Sequence, residues 1–523
     1  MIKEVVQKGT GWYETQYTGV DAHLFGVLAV DLGASNGRVV LGEFTGERLR
    51  LRELRRFPNR PVHEQQAVHW NVRALFEEVL AGLAEAAVSA PDLRAVAIDS
   101  WAVDFGLVDR RGALLAEPRH YRDPRHAEAM EDVLGRLERS ALFARTGVQI
   151  QPINTLFQLF GMRRAEPGVL DAADKLLLIP DLLNYWLTGV QRAEFTNATT
   201  TQMLHPATGD WHVELLAELG LPARMLPPVA QPGAVLGPLR SGWFEPSPGL
   251  GNVQVVHTAS HDTAAAVISV PRRHSRFAYI SSGTWSLLGT VVSAPVIDRR
   301  TEEWNFTNEG GIGNYRLLKN VMGLWLLQET QRILSAKGLS ADVGTLLSAA
   351  RAAPPFTCLF DPDDPRLFNP ADMVEAIGQI CAESGQRRPA NEGVLVRGIL
   401  ESLAFKYRMV LEQLETIAGT CFSELHIVGG GSHNELLNQF TADSTGREVI
   451  AGPAEASAMG NVLVQLLALG ELSSADEMGD IVCRSVETRV YFPADGEAWT
   501  QAYEHFQGLL KQREKRGNGD GNV

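Results

Sequence analysis

The octet Asp31-Leu32-Gly33-Ala34-Ser35-Asn36-Gly37-Arg38 closes the apolar run Gly26-Val27-Leu28-Ala29-Val30. Small residues at the end of a strand let an anionic group approach backbone N–H groups closely. Asp31 can hold water around a divalent ion, and Arg38 can pair with phosphate oxygens. The same octet also suits a tight turn closed by a surface arginine. Phe277-Ala278-Tyr279-Ile280-Ser281-Ser282-Gly283-Thr284-Trp285-Ser286 repeats the pattern, an apolar strand that runs into a Ser/Gly turn and returns. Leu425-His426-Ile427-Val428-Gly429-Gly430-Gly431, leading into Asn434 to Phe440, is a third such element. Its glycines allow a flat ring to lie against backbone, and a helix start offers free N–H groups to an anion. Close strand–helix packing also needs glycine there.

Phosphoryl transfer to an alcohol needs a held phosphate, a metal ion to neutralise charge, and a carboxylate near the acceptor oxygen. Asp262, in Ser260-His261-Asp262-Thr263 ahead of the small-residue helix Ala264 to Ile268, suits that base. The positive end of a helix dipole then faces the site. An Asp at a helix start is equally at home as a plain cap. Trp101, Asp104 and Phe105 offer an aromatic body beside a carboxylate, one wall of a polyol pocket. Thr196 to Gln202 is a dense row of hydroxyls and amides, either binding surface or polar strand edge. Asn320 and Gln328 bracket the helix-like Val321 to Leu327, whose apolar residues read as core.

These residues need strands to present them. Leu93 to Asp99 is a second apolar strand ending in a carboxylate, and Asn71 to Ala90 before it has apolar residues at helical spacing. Strand signals continue at Leu176 to Asp181 and Gln254 to Thr258. Alternating strands and helices with polar strand ends imply α/β layers with ligands at the carboxyl edges. Val394 to Leu414 and Gly460 to Leu469 read as packing helices. Two similar hairpins, one opening each half, suggest a duplicated architecture with phosphates between facing loops. The polar break Pro271 to Arg276 is the expected boundary, giving domains at 25–272 and 273–495. Residues 1–24 read as an extension, and 496–523 as a helix with a disordered tail.

Composition bounds the function. At 523 residues, two or three domains are expected. A net charge of −14 disfavours non-specific nucleic-acid and anionic-membrane binding. Cys358, Cys381, Cys421 and Cys483 form no C-x-x-C pair, so a zinc site or disulfide framework is not expected. With no signal segment and no run long enough to span a bilayer, the expectation is cytoplasmic. No G-x-x-x-x-G-K-[ST] occurs, no G-x-G-x-x-G follows a strand, and His63-Glu64 lacks the second histidine of a zincin. A nucleotide clamped between domains fits instead.

Taken as an ordered series, these stretches resemble the FGGY carbohydrate kinases from about Gly26 to about Phe492. Further matches are Gln151-Pro152-Ile153-Asn154-Thr155, Thr307-Asn308-Glu309-Gly310-Gly311, Lys319 to Trp325 and Ala451 to Ser457. The resemblance implies an α/β fold of two actin-like, ribonuclease-H-like domains with an interdomain cleft closing over ATP and Mg²⁺. It is strongest to members that phosphorylate L-rhamnulose at its 1-hydroxyl in rhamnose breakdown. It implies Ala34, Ser35, Asn36, Gly37 and Arg38 on the phosphates, and Thr284, Asn320, Gln328 and Gly430 completing the ATP site. His261, Asp262 and Thr263 would hold the ketose, with Asp262 taking its proton, and Asp31 would reach the metal through water. Ser100-Trp101-Ala102 departs from a more usual Thr-Trp-Gly, and Ala102 falls on a sugar-contacting position. Asn36 stands for a more usual Ser. A kinase of L-fuculose or L-xylulose, a non-catalytic sensor and a phosphate-releasing hydrolase remain alternatives. The expected partners are the ketose and ATP, with the chain a monomer or homodimer.

Overall fold

The computed structural model describes residues 24–64, 67–90, 92–240, 242–243, 249–272, 276–339 and 341–517. The expected extension before Leu24, the tail past Gly517 and the middle of the expected boundary segment lie outside them. The N-terminal lobe is built on strands β1 (Phe25–Leu32), β2 (Asn36–Phe44) and β3 (Leu49–Pro58), then helix α1 (Val72–Ser89) and strand β4 (Leu93–Ser100). Strands β5 (Val235–Pro238) and β6 (Gln254–Val256) and helix α2 (Asp262–Ile268) complete it. The sheet order is β5-β6-β4-β1-β2-β3, with β1, β4 and β6 parallel and the other pairs antiparallel.

In the C-terminal lobe come β7 (Ala278–Ser282), β8 (Trp285–Val292), β9 (Thr307–Gly310) and β10 (Tyr315–Met322), followed by helices α3 (Trp325–Ala336) and α4 (Glu392–Ala418). Strand β11 (Glu424–Val428), helix α5 (Glu435–Thr445), strand β12 (Glu448–Ala451), helix α6 (Ala456–Ala468), strand β13 (Arg489–Tyr491) and helix α7 (Gly496–Gly517) follow. This sheet runs β9-β10-β8-β7-β11-β12-β13. From β10 to β13 the pairings are antiparallel, antiparallel, parallel, parallel, antiparallel, the same series as β3 to β5 in the first lobe. The architecture inferred from two similar hairpins is therefore repeated at the level of whole sheets.

Alternation along β1 and β4 assigns each face a partner. Leu28, Val30, Leu32, Val96 and Ile98 pack with α1 through Val72, Leu75, Phe76, Val79 and Leu83. Val27, Ala29, Ala95 and Ala97 point the other way, onto Met459, Val462, Leu463 and Leu466 of α6. A helix that follows a C-lobe strand thus covers the N-lobe sheet. The alanines keep that face shallow, and a Cβ on Gly42 would come 2.7 Å from the methyls of Val462. Gly460 meets α2 so closely that a Cβ there would overlap the Ala265 carbonyl. Polar groups are matched as well: Gln465 Nε2 donates to Leu28 O at 3.0 Å, and Asn461 Nδ2 to Ala97 O at 3.2 Å.

Two expected elements come out differently. The strand read at Leu176 to Asp181 ends at Leu178, and a helix over Ile179–Thr188 begins with proline in its first turn, where the missing N–H costs nothing. That short strand pairs with Phe105–Val108 and stays outside the large sheet. Val321 to Leu327 is no helix: β10 runs to Met322, and α3 starts only at Trp325. The helix expected at 496 onward packs Trp499, Tyr503 and Phe506 into the C-lobe core with α4. The lobe contact is the most constrained packing in the fold. Gly460→Val should destabilise the protein by about 1–3 kcal/mol or more through overpacking against Ala265, read as a lowered thermal midpoint.

Candidate functional site

A cleft between the lobes encloses about 350 Å³. Hairpin β1–β2 contributes Asp31, Gly33, Ala34, Ser35, Asn36 and Arg38, and hairpin β7–β8 contributes Ser282, Gly283, Thr284 and Trp285 from the other side. Ala102, His261, Asp262, Thr263, Asn320, Gln328 and Gly430 complete the set read from sequence. Gly37 alone is not on the wall. It lies beneath the turn, where any Cβ would overlap the ring of Phe57, so glycine serves packing there.

Each turn is pinned by its own lobe. Gly33 N donates to Asn36 O at 2.9 Å, and Asn59 Nδ2 holds Gly33 O at 2.9 Å. Leu324 N and Trp325 N donate to Gly283 O and Thr284 O, fixing the start of α3 on the second hairpin. Gln328, one turn along α3, therefore lies beside Thr284, whose Oγ1 donates to Gln328 Oε1 at 3.4 Å. In the third glycine element Gly429 has φ 84° and lines the cleft with Gly430. Gly431 instead closes on Ser282, whose side chain a Cβ would overlap. The packing reading of that glycine run applies at Gly431, while Gly429 and Gly430 are left open to the cleft.

The floor of the cleft is acidic. Asp31 and Asp99 are register partners on β1 and β4, on the face that looks at α6. Arg38 bonds Asp31 and, across the lobes, Glu455 at the head of α6. Burial, and next the charge of Asp31, raise the Asp99 carboxyl well above its usual value; Asn461 Nδ2 donates to its Oδ2 at 2.6 Å. Asp262 opens α2, with its side chain 30% exposed to the cleft. Burial at the cleft wall raises its pKa, the neighbouring His261 opposes this, and Asp31 adds to it. His261 Nε2 is 3.5 Å from Asp262 Oδ1, and its Nδ1 is 3.2 Å from Glu309 Oε2. Arg316, 1% exposed, stands 3.1 Å from the same Glu309 oxygen. Burial pushes Glu309 up, but Arg316 and His261 outweigh it and hold the carboxyl below its ordinary range. Among the described residues no three His, Cys, Asp or Glu side chains converge to hold a metal by themselves. Asp31 on the floor, with one guanidinium between it and Glu455, fits a hydrated cation that arrives with phosphate oxygens.

Some residues singled out in the sequence prove structural, and others not singled out prove important. Asp104 is buried behind Trp101, accepting from Trp70 Nε1 at 2.5 Å, Trp101 Nε1 at 3.0 Å, Tyr121 N at 3.2 Å and Gln158 Nε2 at 2.9 Å. Burial pushes its pKa up to about 7 against those donors. Trp101 does face the cleft, whereas Phe105 packs in the separate core behind it. Of the row Thr196 to Gln202 only Thr200 reaches the cleft wall. Thr196 bonds Glu194, and the hydroxyls of Thr199, Thr200 and Thr201 return to carbonyls three residues back, since the segment is helical rather than a strand edge. Glu194 in turn takes Ser260 N and Oγ at 3.0 and 2.7 Å, locking the segment that carries Asp262. Gln149 was not singled out. It binds across the lobes, taking Asn320 N at 2.9 Å and Asn320 Nδ2 at 3.1 Å. Nothing in its local sequence separates it from a surface glutamine.

The fold and cleft define a two-lobed phosphotransfer scaffold, and comparison with known proteins agrees. The description "FGGY family of carbohydrate kinases, N-terminal domain" matches residues 26–269, and the C-terminal domain of the same family matches residues 278–469. The chain belongs to the FGGY family of carbohydrate kinases. It is 42% identical to a rhamnulokinase of Bacteroides thetaiotaomicron over 92% of this chain and 99% of the relative. With a rhamnulokinase of Bacillus subtilis it shares 37% identity over 93% and 99%. The fold is similar to gluconate kinase from Lactobacillus acidophilus (TM-score 0.75, 17% identity, 95% and 98% covered). It is also similar to Plasmodium falciparum glycerol kinase with ADP (TM-score 0.73, 14% identity, 94% and 98% covered). Both lobes thus have the actin-like two-domain form of these sugar kinases. Among the described residues no helix is long and apolar enough to cross a membrane.

The wall behind Trp101 yields a direct test. Asp104→Ala strips the partner from two buried indole N–H groups and the Tyr121 N–H, and should cost on the order of 3 kcal/mol in urea unfolding. A change below about 1 kcal/mol would mean Asp104 is not the anchor of that wall.

Proposed function

We propose that this carbohydrate kinase transfers the γ-phosphoryl group of ATP to the 1-hydroxyl of L-rhamnulose, giving ADP and L-rhamnulose 1-phosphate. The observation that carries the reading is the position of Asp262: its carboxylate opens onto one cleft, which two glycine hairpins border from opposite lobes. The activity is also the one named in relatives 37–42% identical over most of the chain.

On this reading Ala34, Ser35, Asn36 and Arg38 take phosphate oxygens, while Thr284, Asn320, Gln328 and Gly430 seat the rest of the nucleotide. Asp31 would hold Mg²⁺ through water together with triphosphate oxygens, and the bound ion would supply charge neutralisation. Arg38, tied to Asp31 and Glu455, exchanges one carboxylate for phosphate. Asp262 accepts the proton of the 1-hydroxyl as the oxygen attacks the γ-phosphorus. Its raised pKa makes it a stronger base than a surface carboxylate, while His261 keeps the anion tolerable. Arg316 and Glu309 fix the His261 ring from behind. Closure of the lobes excludes water that would otherwise take the phosphoryl group. Ala102 on the sugar wall keeps a second ketose, L-fuculose or L-xylulose, as the nearest competing acceptor.

Three outcomes follow. Asp262→Asn should lose about 10²–10⁴-fold in kcat while ADP binding, measured by calorimetry, stays within a few-fold of the parent. Unchanged turnover would remove Asp262 from the mechanism. The acid limb of kcat/KM should fall above the ordinary carboxylate value of 3.8, because protonating a raised Asp262 removes the base as pH drops. In a ketose panel, ADP should form fastest with L-rhamnulose and only slowly without sugar; equal release with and without ketose would indicate a hydrolase.

A further inference from the structure

Val103 sits at φ 69°, in the left-handed region. A β-branched residue is rarely found there, because its Cγ atoms crowd the backbone. Of the four non-glycine residues with positive φ among those described, it is the only β-branched one; the others are Gln202, Asn305 and Phe356. Such a conformation persists where the surroundings over-determine it, and it marks places where function needs a side chain aimed against preference. The surroundings here do so. Thr155 Oγ1 donates to Val103 O at 2.6 Å, and Gln158 Nε2 reaches the same oxygen at 3.5 Å. The next residue is Asp104, held by its four donors.

What this arrangement gains is an apolar corner in a cleft of mixed character, on the wall that Trp101 and Ala102 form. Val103 lines the cleft, 6% exposed, and packs in one cluster with Trp101 and Tyr121, against which Ala102 and Ile153 also pack. Elsewhere the cleft carries His261, Asp262, Thr263 and Gln151, whose side chains can bond sugar hydroxyls, alongside further apolar residues such as Val148, Trp285 and Leu287. A ketose bearing oxygen on each carbon would strand a hydroxyl against Trp101, Val103 and Ile153, losing its hydration without a partner. A 6-deoxy ketose carries a methyl group at its far end and loses nothing there. We infer that Val103, turned into the cleft by its left-handed backbone, forms with Trp101 and Ile153 a methyl-recognising corner that selects 6-deoxy ketoses over their 6-hydroxy counterparts.

The inference rests on the reading of L-rhamnulose as acceptor, and the experiment separates the two. L-Rhamnulose and L-fructose differ only in the terminal hydroxyl. The parent enzyme should favour L-rhamnulose in kcat/KM by about 10–100-fold, the range an apolar pocket achieves against an added hydroxyl. Val103→Thr keeps the β-branched shape and adds one hydroxyl to the corner; it should reduce that ratio at least about fivefold, mostly through KM for the sugar. Val103→Ala opens the corner and should also lower the ratio, by raising the KM for L-rhamnulose. Thermal midpoints check that each variant is folded, and the parent comparison stands even if a variant is not. Rapid phosphorylation of L-rhamnulose with no preference over L-fructose would overturn the corner and leave the acceptor reading intact. So would a Val103→Thr enzyme with the parent's ratio. Absence of L-rhamnulose phosphorylation alongside turnover of another ketose would overturn both.

Discussion

The arrangement depends on one close approach, α6 of the C-terminal lobe laid across the N-terminal sheet with Gly460 against Ala265 of α2. This contact sets the distance between two sheets whose ligand-facing edges would otherwise be independent. It explains why that face of β1 and β4 is alanine-rich while the α1 face carries larger side chains. It also places Glu455, at the head of α6, within reach of Arg38 in the first hairpin. Asn461 and Gln465 on α6 satisfy backbone carbonyls of β4 and β1 that edge-on packing would leave exposed to an apolar surface. The interface is thus polar along a narrow line and apolar on both sides of it. That combination fixes register without locking the lobes over a wide area.

Charge in the cleft follows from the same geometry. Strand alternation puts Asp31 and Asp99 on one face, and the short helix α2 brings Asp262 to the same floor. Carboxylates this close cannot all ionise cheaply, and burial together with the charge of Asp31 raises the Asp99 carboxyl well above its usual value. The remaining negative charge suits a cation, while the hairpins supply N–H groups to an anion. A polyanion carrying its own metal answers both needs at once. Neither free phosphate nor a bare cation would.

Much of this was legible in the sequence where local chemistry and local structure coincide. The hairpins needed glycine and serine at a strand end, and α1 carried its apolar stripe; that Asn71 caps it, accepting from Ala74 N at 3.0 Å, comes from the structure. Ordered together, these short signals pointed to the family that the comparisons then showed. What stayed illegible was set by distant packing. Gly37 looked like part of a phosphate cradle but is a glycine for Phe57, and Gly431 is one for Ser282. Thr196 to Gln202 reads from its hydroxyls as either binding surface or polar strand edge, yet helical backbone turns three of the hydroxyls onto carbonyls three residues back. Asp104 reads like a pocket carboxylate until two indoles are seen to claim it. The helix misread at Val321 to Leu327 shows an apolar run whose strand half is fixed by pairing with β8, information no local window contains.

The bonds that cross between lobes are the least legible of all, and they bear most directly on how the two halves act together. Gln149 reaches from the sugar side to the backbone and amide of Asn320, and Asn305, itself at φ 52°, exchanges bonds with the backbone of Ile150. Arg122 of the first lobe lies 4.1 Å from the ring of Trp325 and 5.4 Å from that of Trp285, and donates to Phe368 O. Trp285 closes the turn of the second hairpin and Trp325 starts the helix bearing Gln328, so these contacts tie cleft-lining elements of the second lobe to residues of the first. Each is weak alone and needs both lobes in place, so they form and break together. A cleft joined by one rigid helix crossing and several such small contacts can open without unfolding.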